Sequence, residues 1–199
     1  IKFDLELDQS LLERAQQLRV SLGSPGRPVL VVASTHPGED ERALEAFARV
    51  RDVAGDCLLV LVPRHPERFD EVFALCRKQG WRVARRSVDG VAAATDDIPL
   101  GDTMGELLLL LGTATVAVLG GSLVEHGGHN VLEAAAWGVP VVTGPYMHNF
   151  TASSELLVRA GAMVKLDSAT ELAPRLLELL VDPRRCAQMG AAGRQVLAD

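Results

Sequence analysis

Apolar residues along this chain follow two rhythms. Six short runs, VLVVAS (29–34), CLLVLVP (57–63), WRVARRS (81–87), ATVAVLG (114–120), VPVVTG (139–144) and AMVKL (162–166), are predicted strands. Only WRVARRS alternates with period two. The others are mostly continuous, as expected for strands buried on both faces of a parallel sheet. Between them the spacing becomes helical. In 39–52 the apolar positions 43, 44, 47 and 50 form one stripe. Segment 66–80 opens with Pro66 in a first turn and closes at Gly80, a C-cap. Helical stretches follow at 103–112, 130–138, 153–161, 168–182 and 183–199, with Pro174 set to kink or delay the fourth of these. A helix over 7–23, capped by Asp8 or Ser10, opens the chain. Residues 21–28 are a turn-rich joint and 88–97 a long loop. This alternation predicts an α/β fold, an open doubly wound parallel sheet of Rossmann-like type, as one domain over 1–199.

Such sheets bind ligands outside the carboxyl ends of their strands. The unusual residues concentrate there. All five histidines, His36, His65, His126, His129 and His148, fall at predicted strand ends. So do Arg64, Arg85 and Arg86, cations suited to phosphate or carboxylate. The stretch GGSLVEHGGHNVLEAAAWG (120–138) places four glycines and two histidines ahead of a helix that starts near Asn130. Ordered glycine costs about 0.5–1 kcal/mol relative to alanine. Three readings account for it: a metal on the histidines, an anion on backbone amides, or a crowded turn. The loop matches neither G-x-G-x-x-G nor the Walker pattern. Its amides at a helix start suit an anion. His126 and His129 lack a third ligand at helical spacing, so the pair alone predicts no metal. GDTMGEL (101–107) makes a second loop-to-helix junction, with Asp102 or Thr103 as cap and Glu106 closing a capping box. Glu133, one turn past Asn130, can accept two hydrogen bonds from a ribose diol.

Composition narrows the partners. The 199 residues carry a net charge of -6, with 4% aromatics. That argues against nucleic acid and against base-stacking platforms. Three widely spaced cysteines, Cys57, Cys76 and Cys186, predict reduced, structural thiols in a cytoplasmic protein. There is no apolar run of about 18 residues and no leader pattern. The chain starts at Ile1, which predicts a piece of a longer protein.

VVASTHPGEDE, LLVLVPRHPERFDEV, RRS, LGDTMGEL and VLGGSLVEHGGHNVLEAAAWGVPVVTGP, in that order over about 29–150, together resemble the C-terminal half of bacterial 3-deoxy-D-manno-octulosonic acid (Kdo) transferases. The resemblance implies a two-domain glycosyltransferase of GT-B type that moves Kdo from CMP-Kdo to a lipid A precursor, with inversion, in lipopolysaccharide biosynthesis. It implies that CMP meets Pro63 and Arg64, Met104, Gly105 and Glu106, and Asn130, Val131, Leu132 and Glu133 of this chain. It implies no cofactor, no metal and no catalytic residue here; the general base and the acceptor site would belong to an N-terminal domain. That domain would also make the membrane contact, at the cytoplasmic face of the bacterial inner membrane. The chain departs from the family pattern at Pro37, Val131, Ala134 and Tyr146; Val131 and Ala134 suit a helix. Two other readings are a related GT-B nucleotide-sugar enzyme, such as a UDP-sugar epimerase-like protein, and a non-catalytic nucleotide-binding domain. A metal-dependent hydrolase is a third.

Overall fold

The computed structural model describes residues 7–23 and 26–198. The predicted start of the chain and part of the 21–28 joint lie outside these. The described residues form one seven-stranded parallel sheet. Its strands are β1 (Val29–Thr35), β2 (Leu58–Pro63), β3 (Val83–Arg85), β4 (Ile98–Leu100), β5 (Val116–Leu119), β6 (Val141–Thr143) and β7 (Met163–Lys165), in the order β3-β4-β2-β1-β5-β6-β7. Chain order reverses direction between β1 and β5, which makes their carboxyl ends the switch point where such sheets open a crevice.

The six expected strands are present, most of them trimmed at their ends. The seventh, β4, was not expected. It has three residues, carries Pro99, and follows polar TDD rather than an apolar run. It is nonetheless interior, paired with β2 and β3, with Ile98 and Leu100 fully buried. Tertiary pairing overrides the weak local signal.

Strand alternation splits the apolar residues between two cores. Leu30, Val32, Leu59 and Leu61 meet α2 (Glu39–Ala54), α3 (Phe69–Lys78) and α8 (Leu172–Leu180) through Leu44, Phe47, Val72, Leu176 and Leu179. Val29, Val31, Ala33 and Val60 point the other way. They pack with residues of α5 (Leu107–Leu111), α6 (Leu132–Ala136) and α7 (Thr151–Arg159), and α1 (Gln9–Ser21) and α9 (Pro183–Ala198) complete that layer. Asp8 caps α1, accepting from the Leu11 amide at 2.8 Å. Gly80 ends the 66–80 segment at φ 89°, beyond α3. Pro174 sits at the third position of α8, whose entry is a 3-10 turn at 169–171, so the proline delays the helix rather than kinking it.

One difference follows the edge strand β3. Residues 86–89, expected at a strand end and in a loop, form the short α4 (Arg86–Asp89). The thiols of Cys57 and Cys76 are buried and free, and burial pushes them up to about 11 and about 12. They are inert packing groups.

Candidate functional site

At the β1/β5 switch point a cleft of about 500 Å³ opens, lined at its base by Ser34 and Leu119. A cleft of this size suits a small organic ligand. Pro63 and Arg64 enter from the end of β2. Met104 and Gly105 come from the loop before α5, and Asn130 and Glu133 from the start of α6. Six of the nine residues named from the sequence therefore share one wall-to-wall space. His129 and Phe150 join them.

Local chemistry places each one. The Arg64 amide donates to the Thr35 carbonyl at 3.0 Å, which holds the end of β2 against β1. The Arg64 guanidinium is exposed and makes no hydrogen bond or ion pair among the described residues. Asn130 uses its Oδ1 to accept from the Leu132 amide at 3.1 Å, and its Nδ2 donates to Glu133 Oε1 at 3.3 Å. Burial pushes the Glu133 carboxyl up, against the opposing pull of Asn130 and Arg64. The amides of Met104, Gly105, Asn130 and Val131 have no acceptor among the described residues. α5 and α6 are only five residues long, so these are local N–H donors more than ends of large helix dipoles.

Three named residues behave differently. Glu106 does not line the cleft: Arg86 grips it through two hydrogen bonds, at 3.0 and 2.8 Å, and the Thr103 hydroxyl donates to it at 2.6 Å. Arg86 above all holds this carboxyl down at about 2. It closes no capping box, because neither Asp102 nor Thr103 caps α5 with its side chain. Val131 and Leu132 are buried in the core, so only their backbone or the shape they impose can reach a ligand. The other strand-end arginine, Arg85, is also engaged, with Asp102 and Asp70, both at 2.6 Å. Of the three candidate cations only Arg64 is available.

The glycine loop after β5 departs most from expectation. Its amides do not wait for an external anion. Buried Glu39, at the start of α2, fills that role: Oε2 accepts from His36 N at 2.9 Å and Gly121 N at 2.7 Å. Its Oε1 accepts from Ser122 N at 3.1 Å and Leu123 N at 2.9 Å. Gly120 is glycine for a steric reason. A Cβ there would lie 2.4 Å from the Ser34 carbonyl oxygen. Ser34 itself has φ 60°, so the backbone crossing beneath the cleft is strained as well as tight. Glu39 was missed. The signal available was its spacing, three residues after His36, the distance at which a glutamate reaches back to an amide at a helix start.

Four histidines also gather here, contributed by three loops. His36 stacks on His126 with ring centroids 3.7 Å apart and meets His65 edge-on at 5.4 Å. His36 Nε2 and His129 Nε2 are 2.8 Å apart, sharing one proton. Burial and the neighbouring rings lower His36 to about 4, and burial and Arg64 lower His129 to about 4. His36, His126 and His129 could together hold a metal ion, their ligand atoms all within 4.8 Å of one another. The third imidazole beside His126 and His129 comes from a different strand end, which spacing along the chain could not reveal.

Comparison with known proteins places the architecture. The family described as Glycosyl transferases group 1 matches residues 97–196, half of the chain. This chain belongs to that family. Within it, the 3-deoxy-D-manno-octulosonic acid transferase of Haemophilus influenzae is 38% identical over 200 residues, covering all of this chain and 47% of that protein. The enzyme of the same name from Bordetella pertussis is 38% identical over 98% of the chain and 46% of its own length. The chain spans about half the length of these curated relatives. The crystal structure of the C-terminal CMP-Kdo binding domain of WaaA from Acinetobacter baumannii superposes with a TM-score of 0.90. It is 34% identical and covers 96% of this chain and 100% of that one. The chain is thus a glycosyltransferase domain of the Kdo transferase type, with the Rossmann-like fold of a GT-B C-terminal half. No helix among the described residues is long and apolar enough to cross a membrane.

Proposed function

We propose that this domain binds the donor of a Kdo transferase, CMP-Kdo, in the cleft at the β1/β5 switch point. The observation that carries this reading is the convergence of Pro63, Arg64, Met104, Gly105, Asn130 and Glu133 on one space of nucleotide size. The names of the relatives support the identity of the donor. In this reading the Arg64 guanidinium and the free amides of Met104 and Gly105 take the phosphate. Glu133 and Asn130 take the ribose hydroxyls.

The reaction transfers Kdo to a lipid A precursor with inversion. As the glycosidic bond breaks, positive charge grows on the sugar and negative charge on the departing CMP. Donors already aimed at the phosphate strengthen as that charge grows, which lowers the barrier. CMP is a competent leaving group, so this step needs no cofactor. The proton on the attacking hydroxyl goes to a base of an N-terminal domain, which also carries the acceptor site and meets the cytoplasmic face of the bacterial inner membrane. Nucleic acid is no partner. The domain by itself binds CMP and transfers nothing.

A crystal soaked with CMP tests the reading. Phosphate between Arg64 and the 104–105 amides, with ribose at Glu133, is the expected result. Nucleotide bound elsewhere, or turnover by this domain alone, contradicts it.

A further inference from the structure

The histidine cluster goes beyond donor binding. None of the roles above uses His36, His126 or His129 side chains, yet the fold spends a buried carboxylate on holding them together. Glu39 binds the amide of His36 with one oxygen and the amides of 121–123 with both. It thereby clamps the loop that carries His36 to the loop that carries His126 and His129.

We propose that His36, His126 and His129 form a binding site for a borderline transition-metal cation, with Zn²⁺ as its probe. Each imidazole presents one ligand nitrogen, and all three lie within 4.8 Å of one another. Three imidazoles are a donor set for zinc and its neighbours, whereas calcium and magnesium ask for oxygen ligands. Glu39 has both oxygens occupied by amides, and the ligand atoms that converge here are nitrogens alone. Seating an ion at about 2.0–2.1 Å from each nitrogen requires His36 Nε2 and His129 Nε2 to part to about 3.3 Å. They now stand 2.8 Å apart, so that pair opens by about half an ångström and gives up one hydrogen bond, while His126 must turn out of its stack on His36 to aim a nitrogen at the same point. Three protein ligands leave a fourth position open to water or to a ligand oxygen. His129 also lines the cleft, which puts the cation at its rim.

The test uses this domain, stripped with chelator and titrated with Zn²⁺ alone, in the absence of nucleotide. Calorimetry gives stoichiometry and affinity; Co²⁺ alone gives the visible absorption of a low-coordinate nitrogen site. Expected are one ion per chain, the cobalt band, and a melting temperature raised by Zn²⁺. Losing even an outer-shell partner weakens metal sites about 10–100-fold. His129→Ala and His126→Ala should therefore each bind at least about tenfold more weakly. His126 is exposed, so His126→Ala keeps the fold and the comparison stays valid. No saturable binding tighter than about 1 mM overturns the proposal. So does wild-type affinity in His126→Ala and His129→Ala, which would place the ion elsewhere. CMP is absent throughout, so failure of donor binding and failure of metal binding are read separately.

Discussion

Glu39→Gln isolates the clamp beneath the site. The substitution keeps size and shape but replaces one carboxylate oxygen with an NH₂ group. Each oxygen now accepts from two backbone amides: His36 and Gly121 on one, Ser122 and Leu123 on the other. Whichever way the glutamine turns, its NH₂ faces two N–H donors and satisfies neither. A buried donor left without an acceptor costs about 1–3 kcal/mol, and the two remaining bonds lose their charge assistance. The expected destabilisation is therefore about 2–6 kcal/mol. For a domain of this size it lowers the melting temperature by roughly 5–20 °C. Urea and thermal unfolding of wild type and variant, side by side at neutral pH, measure it. The loop held by Glu39 continues into His129 and Asn130, so CMP affinity should fall as well. A variant within about 1 kcal/mol of wild type would refute the assignment of Glu39 as the internal anion of this loop.

Further outcomes follow from the same geometry. Arg64→Ala removes the unpaired guanidinium and should weaken CMP binding about 10–150-fold in calorimetry, the equivalent of one charge-assisted phosphate contact, while leaving the melting temperature nearly unchanged. Gly120→Ala drives a Cβ to 2.4 Å from the Ser34 carbonyl oxygen and should destabilise by about 1–3 kcal/mol or more in urea melts. The Glu106–Arg86 pair sets an acid limit. Glu106 is held at about 2 against an ordinary 4.5, so its stabilisation is complete above pH 4.5 and is lost as pH falls from there toward 2. Glu106→Gln should flatten that part of the stability-versus-pH curve, by on the order of 2 kcal/mol.

Much of this was legible in the chain because long apolar runs and helical stripes dominate it. The runs at 29–34, 57–63 and 114–120 became the three central strands β1, β2 and β5. Ile98–Leu100 escaped because three residues around a proline carry no periodicity; their pairing is set by neighbours far away in sequence. The cleft was largely legible. Strand-end reasoning reached Arg64, Met104, Gly105 and Asn130 of the cleft, and the family resemblance supplied Pro63. What could not be read was which polar groups were already partnered. Arg86 and Glu106 both look like ligand contacts until they are seen to hold each other, 20 residues apart. Glu39 and Gly121 lie 82 residues apart, so the anion that occupies the glycine loop is invisible along the chain. The same holds for His36, 93 residues from His129. These partnerships exist only once the sheet is assembled.

The central claim is that free amides and one free guanidinium at the switch point make a cytidylate site. Isothermal calorimetry of this domain with CMP, alongside UMP and UDP, tests it most directly. Saturable CMP binding tighter than about 1 mM, stronger than for either uridine nucleotide and weakened in Arg64→Ala, is the predicted result. No CMP binding at that concentration, or preferential binding of UDP, would contradict it.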